Sequence, residues 1–178
     1  MNVEESTGYK ELIIGSGSRI VKDIFLDNKK EFINVISLDN NADHHPDVVW
    51  DLRNHPLPFE DHTFNEIHAY EVLEHLAQQG DYEFFFAEFS EYWRILKPGG
   101  LFFASVPDIS SRWVWGDPSH KRVIMKESLT YLDQDEYIKQ VGNTRMSDFR
   151  YLYKAHFKIG MAQTDGGTFK FVLQAIKK

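Results

Sequence analysis

Cysteine is absent from the 178 residues. Disulfides, thiolate metal sites and cysteine nucleophiles are therefore excluded. No apolar run approaches the roughly 20 residues of a membrane-spanning helix. The opening stretch, Met1 to Tyr9, is polar and acidic, unlike a secretory leader, and the expected location is cytoplasmic. Basic charge is in deficit: 20 Lys and Arg face 27 Asp and Glu, for a formal net charge of −7. Nucleic acids and anionic membranes both select basic surfaces, so neither is expected as a partner. Internal repeats, low-complexity segments and interdomain linkers are missing too. What is plentiful is apolar: 42% of the residues are hydrophobic and 14 are Phe. That composition and length predict one globular domain over residues 1–178, with residues 1–8 as a frayed tail.

The organising stretch is Glu11 to Arg19. The apolar run Leu12 to Ile14 stops at Gly15-Ser16-Gly17, as a buried strand running into a glycine turn does. Two glycines one residue apart permit unusual torsions and let a ligand approach the main chain. Asp39 closes the next apolar run, Ile33 to Leu38. An acid about 20 residues past a glycine turn, ending the second strand, is placed to accept hydrogen bonds from ribose hydroxyls. A dinucleotide fingerprint needs a third glycine, and that position is Ile20. Its loss disfavours a pyrophosphate over a helix start and points to a nucleoside without a diphosphate, S-adenosylmethionine being the commonest.

Further strands are expected at Asp47 to Leu52, Phe64 to Tyr70 and Leu101 to Val106, with a closing antiparallel hairpin over Phe157 to Gln163 and Phe169 to Ile176. Helices are expected within Ser18 to Lys30, from Val72 to Gln79, from an Asp81 cap onward, and over Glu127 to Gln140. In the third of these, Phe85, Phe89, Trp93 and Leu96 form the apolar stripe. The fold class is α/β: a Rossmann-like, doubly wound, mainly parallel sheet ending in an antiparallel hairpin. Asp39, Asp51, Glu71 and Asp108 all fall at or just past strand ends, where such folds bind ligands.

The order of these parts resembles the class I S-adenosylmethionine-dependent methyltransferases, type 11 branch. The resemblance runs from about Lys10 to Pro107. It rests on the Gly-x-Gly turn, Asp39, Asp51-Leu52 before Pro-Leu-Pro-Phe, Glu-Val-Leu-Glu-His at 71–75, and Arg-Ile-Leu-Lys-Pro-Gly-Gly at 94–100. It implies S-adenosylmethionine as cofactor. Gly15, Ser16 and Gly17 would pass under it, and Asp39 with its neighbour Asn40 would hold the ribose. Asp51 and Leu52 would meet the adenine, and Tyr70 and Glu71 would line the methionine end. Two positions depart from the family: an acid is usual where Ile13 stands, and a glycine where Arg19 stands.

Methyl transfer from a sulfonium mainly requires alignment and exclusion of water. A base is needed only where the acceptor loses a proton. The candidate is His120, since histidine titrates near neutral pH. Asp108, Trp113 and Trp115 are candidates for binding the acceptor, expected to be a small molecule or saccharide. No metal is assigned. Two alternatives stand beside this reading. One is a metal-assisted O-methyltransferase using Glu71, Glu74, His75 and His120, since two carboxylates and an imidazole at helical spacing share a face. The other, favoured by Ile13 and Arg19, is a non-catalytic cofactor-binding module.

Overall fold

The computed structural model describes residues 8–177. The expected tail, apart from Gly8, lies outside them. Seven strands form one sheet: β1 (Glu11–Ile14), β2 (Val35–Asp39), β3 (Val48–Val49), β4 (Phe64–Tyr70), β5 (Leu96–Pro107), β6 (Phe157–Asp165) and β7 (Thr168–Ala175). Their order is β3-β2-β1-β4-β5-β7-β6. The first five run parallel, and β7 runs antiparallel to both β5 and β6. This is the expected Rossmann-like sheet with its C-terminal hairpin. The chain leaves β1 toward β2 on one side and returns to β4 on the other. That reversal opens a crevice at the carboxyl ends of β1 and β4.

One sheet face carries the main core. Leu12, Ile14, Leu38, Ile67, Ala69, Phe102 and Phe171 share one buried cluster there with the inner residues of helix α1 (Tyr82–Ile95). Asp81 caps α1 as expected, accepting from Phe84 N–H at 3.1 Å. The deepest line along α1 is Phe86, Phe89, Tyr92 and Ile95, with Phe85 and Trp93 flanking it. The stripe is thus rotated from the expected one, because Tyr92 stacks on Phe102 at 4.8 Å and Leu96 already belongs to β5. Each such buried aromatic is worth about 1.5–3 kcal/mol.

The opposite face differs from expectation. No helix joins β1 to β2. The sheet offers Glu11, Glu66 and His68 there, and an apolar helix stripe would have found little apolar surface to cover. Instead Lys22 reaches in to Glu11 at 2.5 Å and Glu66 at 2.6 Å. Ile33 N–H donates to Glu11, and Ile24 N–H to Tyr70 Oη. Asp27 and Asn28, both at positive φ, turn the chain back. Ile24, Phe103 and Val172 make a small buried cluster on this side.

Three other elements are shorter than expected. β3 covers two residues, leaving Asp51 beyond it. The helix expected over 72–79 is a single 3-10 turn, Leu73–His75. Its carbonyls are taken elsewhere: Lys121 N–H donates to Glu74 O at 2.9 Å, and Arg122 Nε to Leu73 O at 2.7 Å. After a four-residue α2 (Trp113–Gly116), the helix expected over 127–140 is two, α3 (Lys126–Thr130) and α4 (Gln134–Gln140). Asp133 separates them by capping α4, and Leu132 O accepts from Phe157 N–H.

Candidate active site

The glycine turn closes β1 with both glycines at positive φ, 58° and 55°. The two glycines serve different ends. A Cβ on Gly15 would lie 2.2 Å from Val72 Cγ2, so the protein's own packing requires glycine there. A Cβ on Gly17 would meet nothing within 4 Å. Its only structural demand is torsional, and the space beside it is open.

That space belongs to a cavity of about 460 Å³. Among the expected cofactor residues, Gly15, Gly17, Asp39, Asn40, Asp51, Leu52 and Glu71 line it. Asp39 is buried and already works: Oδ2 accepts from Gly17 N–H and Oδ1 from Asn41 N–H, both at 2.8 Å. The carboxylate thereby fixes the turn, and each oxygen keeps a lone pair. Asp51 is held by Arg53, with Nη2 at 2.6 Å from Oδ2, and the guanidinium lowers its pKa. His44, Trp50, Arg53, Val72, His75, Leu76 and Lys121 complete the wall. They come from loops and turns, where no periodicity singles them out.

Two expected residues lie elsewhere. Ser16 and Tyr70 do not line this cavity; they line a smaller one of about 180 Å³ behind the turn, with Ile13, Gly15, Arg19, Asp23 and Glu71. Tyr70 Oη bonds to Ile24 and His68, and burial raises its pKa.

A third cavity, of about 320 Å³, shares Glu71 and His75 with the first. His120 and Trp113 line it as expected for acceptor-side residues, and so do Glu74, Asp117, Gly166 and Gly167. The hairpin tip as a wall escaped sequence reading, since a Gly-Gly turn reads only as a turn. Trp115 and Asp108 do not line it. Trp115 is 60% exposed, and Asp108 is tied to Ser110 and to Thr164 Oγ1 at 2.9 Å.

His120 sits where the 117–122 segment zips onto the 3-10 turn, its ring 4.7 Å from that of His75. Its Nε2 lies 3.9 Å from Glu74 Oε1 and 3.8 Å from Asp117 Oδ2. Nδ1 faces the Val114 carbonyl at 3.3 Å. Glu74 is 2% exposed, and neither carboxylate oxygen has a hydrogen-bond partner. Burial pushes its pKa up to about 8. Glu71, by contrast, accepts from Ser105 Oγ at 2.8 Å and stands apart from this group.

The family model described as a methyltransferase domain matches residues 16–104, half of the chain. No curated protein matches. Solved structures do. An S-adenosylmethionine-dependent methyltransferase from Archaeoglobus fulgidus is 18% identical, with a TM-score of 0.57 over 95% of this chain and 86% of that one. The N-methyltransferase NodS of Bradyrhizobium japonicum, solved with S-adenosylhomocysteine, is 11% identical, with a TM-score of 0.57 over 95% and 79%. The [4+2]-cyclase SpnF is 13% identical, with a TM-score of 0.58 over 96% and 76%. At these identities the likeness is one of fold. Among the described residues no helix is long and apolar enough to cross a membrane.

Proposed function

The chain belongs to the class I S-adenosylmethionine-dependent methyltransferases, and from that premise we propose that it methylates an hydroxyl or amine of a small-molecule or saccharide acceptor. The observation that carries the reading is the meeting of two cavities at Glu71 and His75. One contains the glycine turn, and the other contains His120 and Trp113.

The residues present fit the cofactor. Gly17 leaves open space beside the turn, and the free lone pairs of Asp39 suit two adjacent ribose hydroxyls. Asp51 is the acceptor for an adenine amino group once Arg53 releases one oxygen; the pair is partly exposed, and such pairs open cheaply. Leu52 packs against the ring. Where the family has an acid this chain has Ile13, and Glu71, which lines both the cofactor cavity and the smaller one behind the turn, suits the ammonium. When bound, S-adenosylmethionine supplies an activated methyl group on a good leaving group. The protein aligns the acceptor and keeps water out. A proton leaving the acceptor is taken at the Glu74–His75–His120 wall, with His120 Nε2 as the candidate.

Calorimetry with S-adenosylmethionine and S-adenosylhomocysteine tests the premise, and binding of both is expected. Transfer of labelled methyl to an acceptor separates an enzyme from a non-catalytic binding module. Absence of binding to either ligand would remove both readings.

A further inference from the structure

Among the described residues, three groups of carboxylates and imidazoles come close enough to share a cation: Glu11–Glu66–His68, Asp133–Asp135–His156 and Glu74–His75–His120. In the first, Lys22 Nζ lies between the carboxylates at 2.5 and 2.6 Å. In the second, Lys158 Nζ does the same, at 3.0 Å from Asp133 and 2.5 Å from Asp135. The third differs. Among the described residues no lysine or arginine comes within 4.0 Å of the Glu74 carboxylate, and neither of its buried oxygens accepts a hydrogen bond.

The hydrogen bonds around this third group settle where the imidazole lone pairs point. Ser119 Oγ lies 2.5 Å from Asp117 Oδ1 and 3.0 Å from His75 Nδ1. A hydroxyl has one proton, and the ionised carboxylate can only accept it. Ser119 must then accept from His75 Nδ1–H, which leaves a lone pair on His75 Nε2. The Val114 carbonyl likewise takes the Nδ1–H of His120 and leaves a lone pair on its Nε2. Both Nε2 atoms face Glu74 Oε1, at 4.0 and 3.9 Å. Two imidazole lone pairs thus converge on the Glu74 carboxyl, which becomes the third electron-pair donor when an ion displaces its proton. Imidazoles oriented through Nδ1 by carbonyl or relayed carboxylate contacts are the usual surroundings of a metal ligand.

We propose that Glu74, His75 and His120 bind one divalent first-row transition-metal ion on the wall between the two cavities. Two imidazoles and a carboxylate suit manganese, iron, cobalt or zinc better than magnesium or calcium. Cis ligands on such an ion stand about 3 Å apart at bond lengths of roughly 2.1 Å. The three atoms here lie within 4.8 Å of one another, so binding draws the side chains in by about 1 Å. The ion's open side faces the 320 Å³ cavity and suits an oxygen ligand from the acceptor. With the ion in place, His120 is a ligand and not the base. The proposal depends on the methyl-transfer reading only for the ion's use.

The full chain, stripped with chelator and dialysed, is titrated with Mn²⁺, Co²⁺ and Zn²⁺ without cofactor. One ion per chain is expected, with Co²⁺ showing the visible absorption of a nitrogen- and oxygen-ligated site and each ion raising the melting temperature. Glu74→Gln and His75→Ala, the latter on a partly exposed ring, should each weaken binding at least tenfold. Asp133→Asn should leave it unchanged. No binding of any of the three ions at millimolar concentration, or binding indifferent to both Glu74→Gln and His75→Ala, overturns the site. Calorimetry of the stripped protein with S-adenosylhomocysteine is a separate readout, so metal binding and cofactor binding can fail independently.

Discussion

Under the loop between β1 and β2, Glu11 and Glu66 share the ammonium of Lys22. At the carboxyl rim, Glu74 faces two imidazoles, and among the described residues no lysine or arginine comes within 4.0 Å of its carboxyl. Both groups have a buried carboxylate beside histidine, so composition alone does not separate them. What separates them is whether the chain supplies its own counter-ion. The first group is closed on itself and bolts a helix-free segment to the sheet. The second is left open beside two cavities. Buried carboxylates given a cation from within serve the fold, and a buried carboxyl left without any partner is kept at a cost in stability for something that binds.

The largest expected effect lies on the closed side. Lys22→Met leaves Glu11 and Glu66 buried without their cation, at a cost of about 3–5 kcal/mol. In a chain of this size that lowers the melting temperature by roughly 6–20 °C. A melt within a degree or two of wild type would break the contrast. On the rim, Gly17→Val should abolish S-adenosylhomocysteine binding in calorimetry, by a hundredfold or more, a change of about 2.7 kcal/mol. The fold should survive, since only torsional strain of about 1–2 kcal/mol is added where the side chain meets open space. Tight binding by this variant would show that the turn faces no cofactor.

Asp39→Asn should weaken the same binding by roughly ten- to a hundredfold, or about 1.5–3 kcal/mol, from lost charge-assisted bonds. Because Asp39 also holds the Gly17 and Asn41 amides, its metal-free, cofactor-free melt should fall slightly as well. Unchanged affinity would remove the ribose role.

Acid should act on the closed side. Burial pushes the Glu66 pKa up, but hydrogen bonds from His68, Lys22 and Tyr9 outweigh it and hold the carboxyl far below its ordinary value of 4.5. The folded state therefore binds this proton more weakly than the unfolded chain does. The stability it contributes is complete above pH 4.5 and is lost as the pH falls through the folded value. Melting temperatures should drop below that pH, and Glu66→Gln should flatten the drop while starting from a lower melt. An equally steep drop in the variant would place the acid sensitivity elsewhere. The smallest effect belongs to Glu74→Gln in chelator-stripped protein: no loss of melting temperature, or a slight gain, because no partner is left behind. A loss comparable to that of Lys22→Met would mean that Glu74, too, is satisfied from within the chain.

Local chemistry made the strands and the glycine turn legible from sequence. Leu12 to Ile14 before two glycines, Phe64 to Tyr70, and the two runs around Gly166-Gly167 carry their own stop signals, and the structure ends them within a residue or two. The positions of Gly15, Gly17 and Asp39 on the crevice followed, because strand ends in such a sheet share one rim. Helices fared worse where tertiary partners took their hydrogen bonds. Leu73 and Glu74 have helical neighbours in sequence, yet their carbonyls go to Lys121 and Arg122. Ser18 to Lys30 has apolar residues enough for a short helix, but the sheet beneath it is charged.

Sequence by itself determined the α/β class, the glycine turn, the acid that ends the second strand and the exclusion of thiol chemistry, since each depends on torsion, periodicity or composition within a few residues. Tertiary structure alone decided that His120 would stand beside His75, that Tyr70 would turn away behind the glycine turn, and that the hairpin tip would wall a cavity. It also decided which buried carboxylates receive a lysine. Those outcomes depend on contacts across tens of residues, such as Lys121 on Glu74 and Lys22 on Glu66, and no local pattern encodes the partner of a side chain that far away.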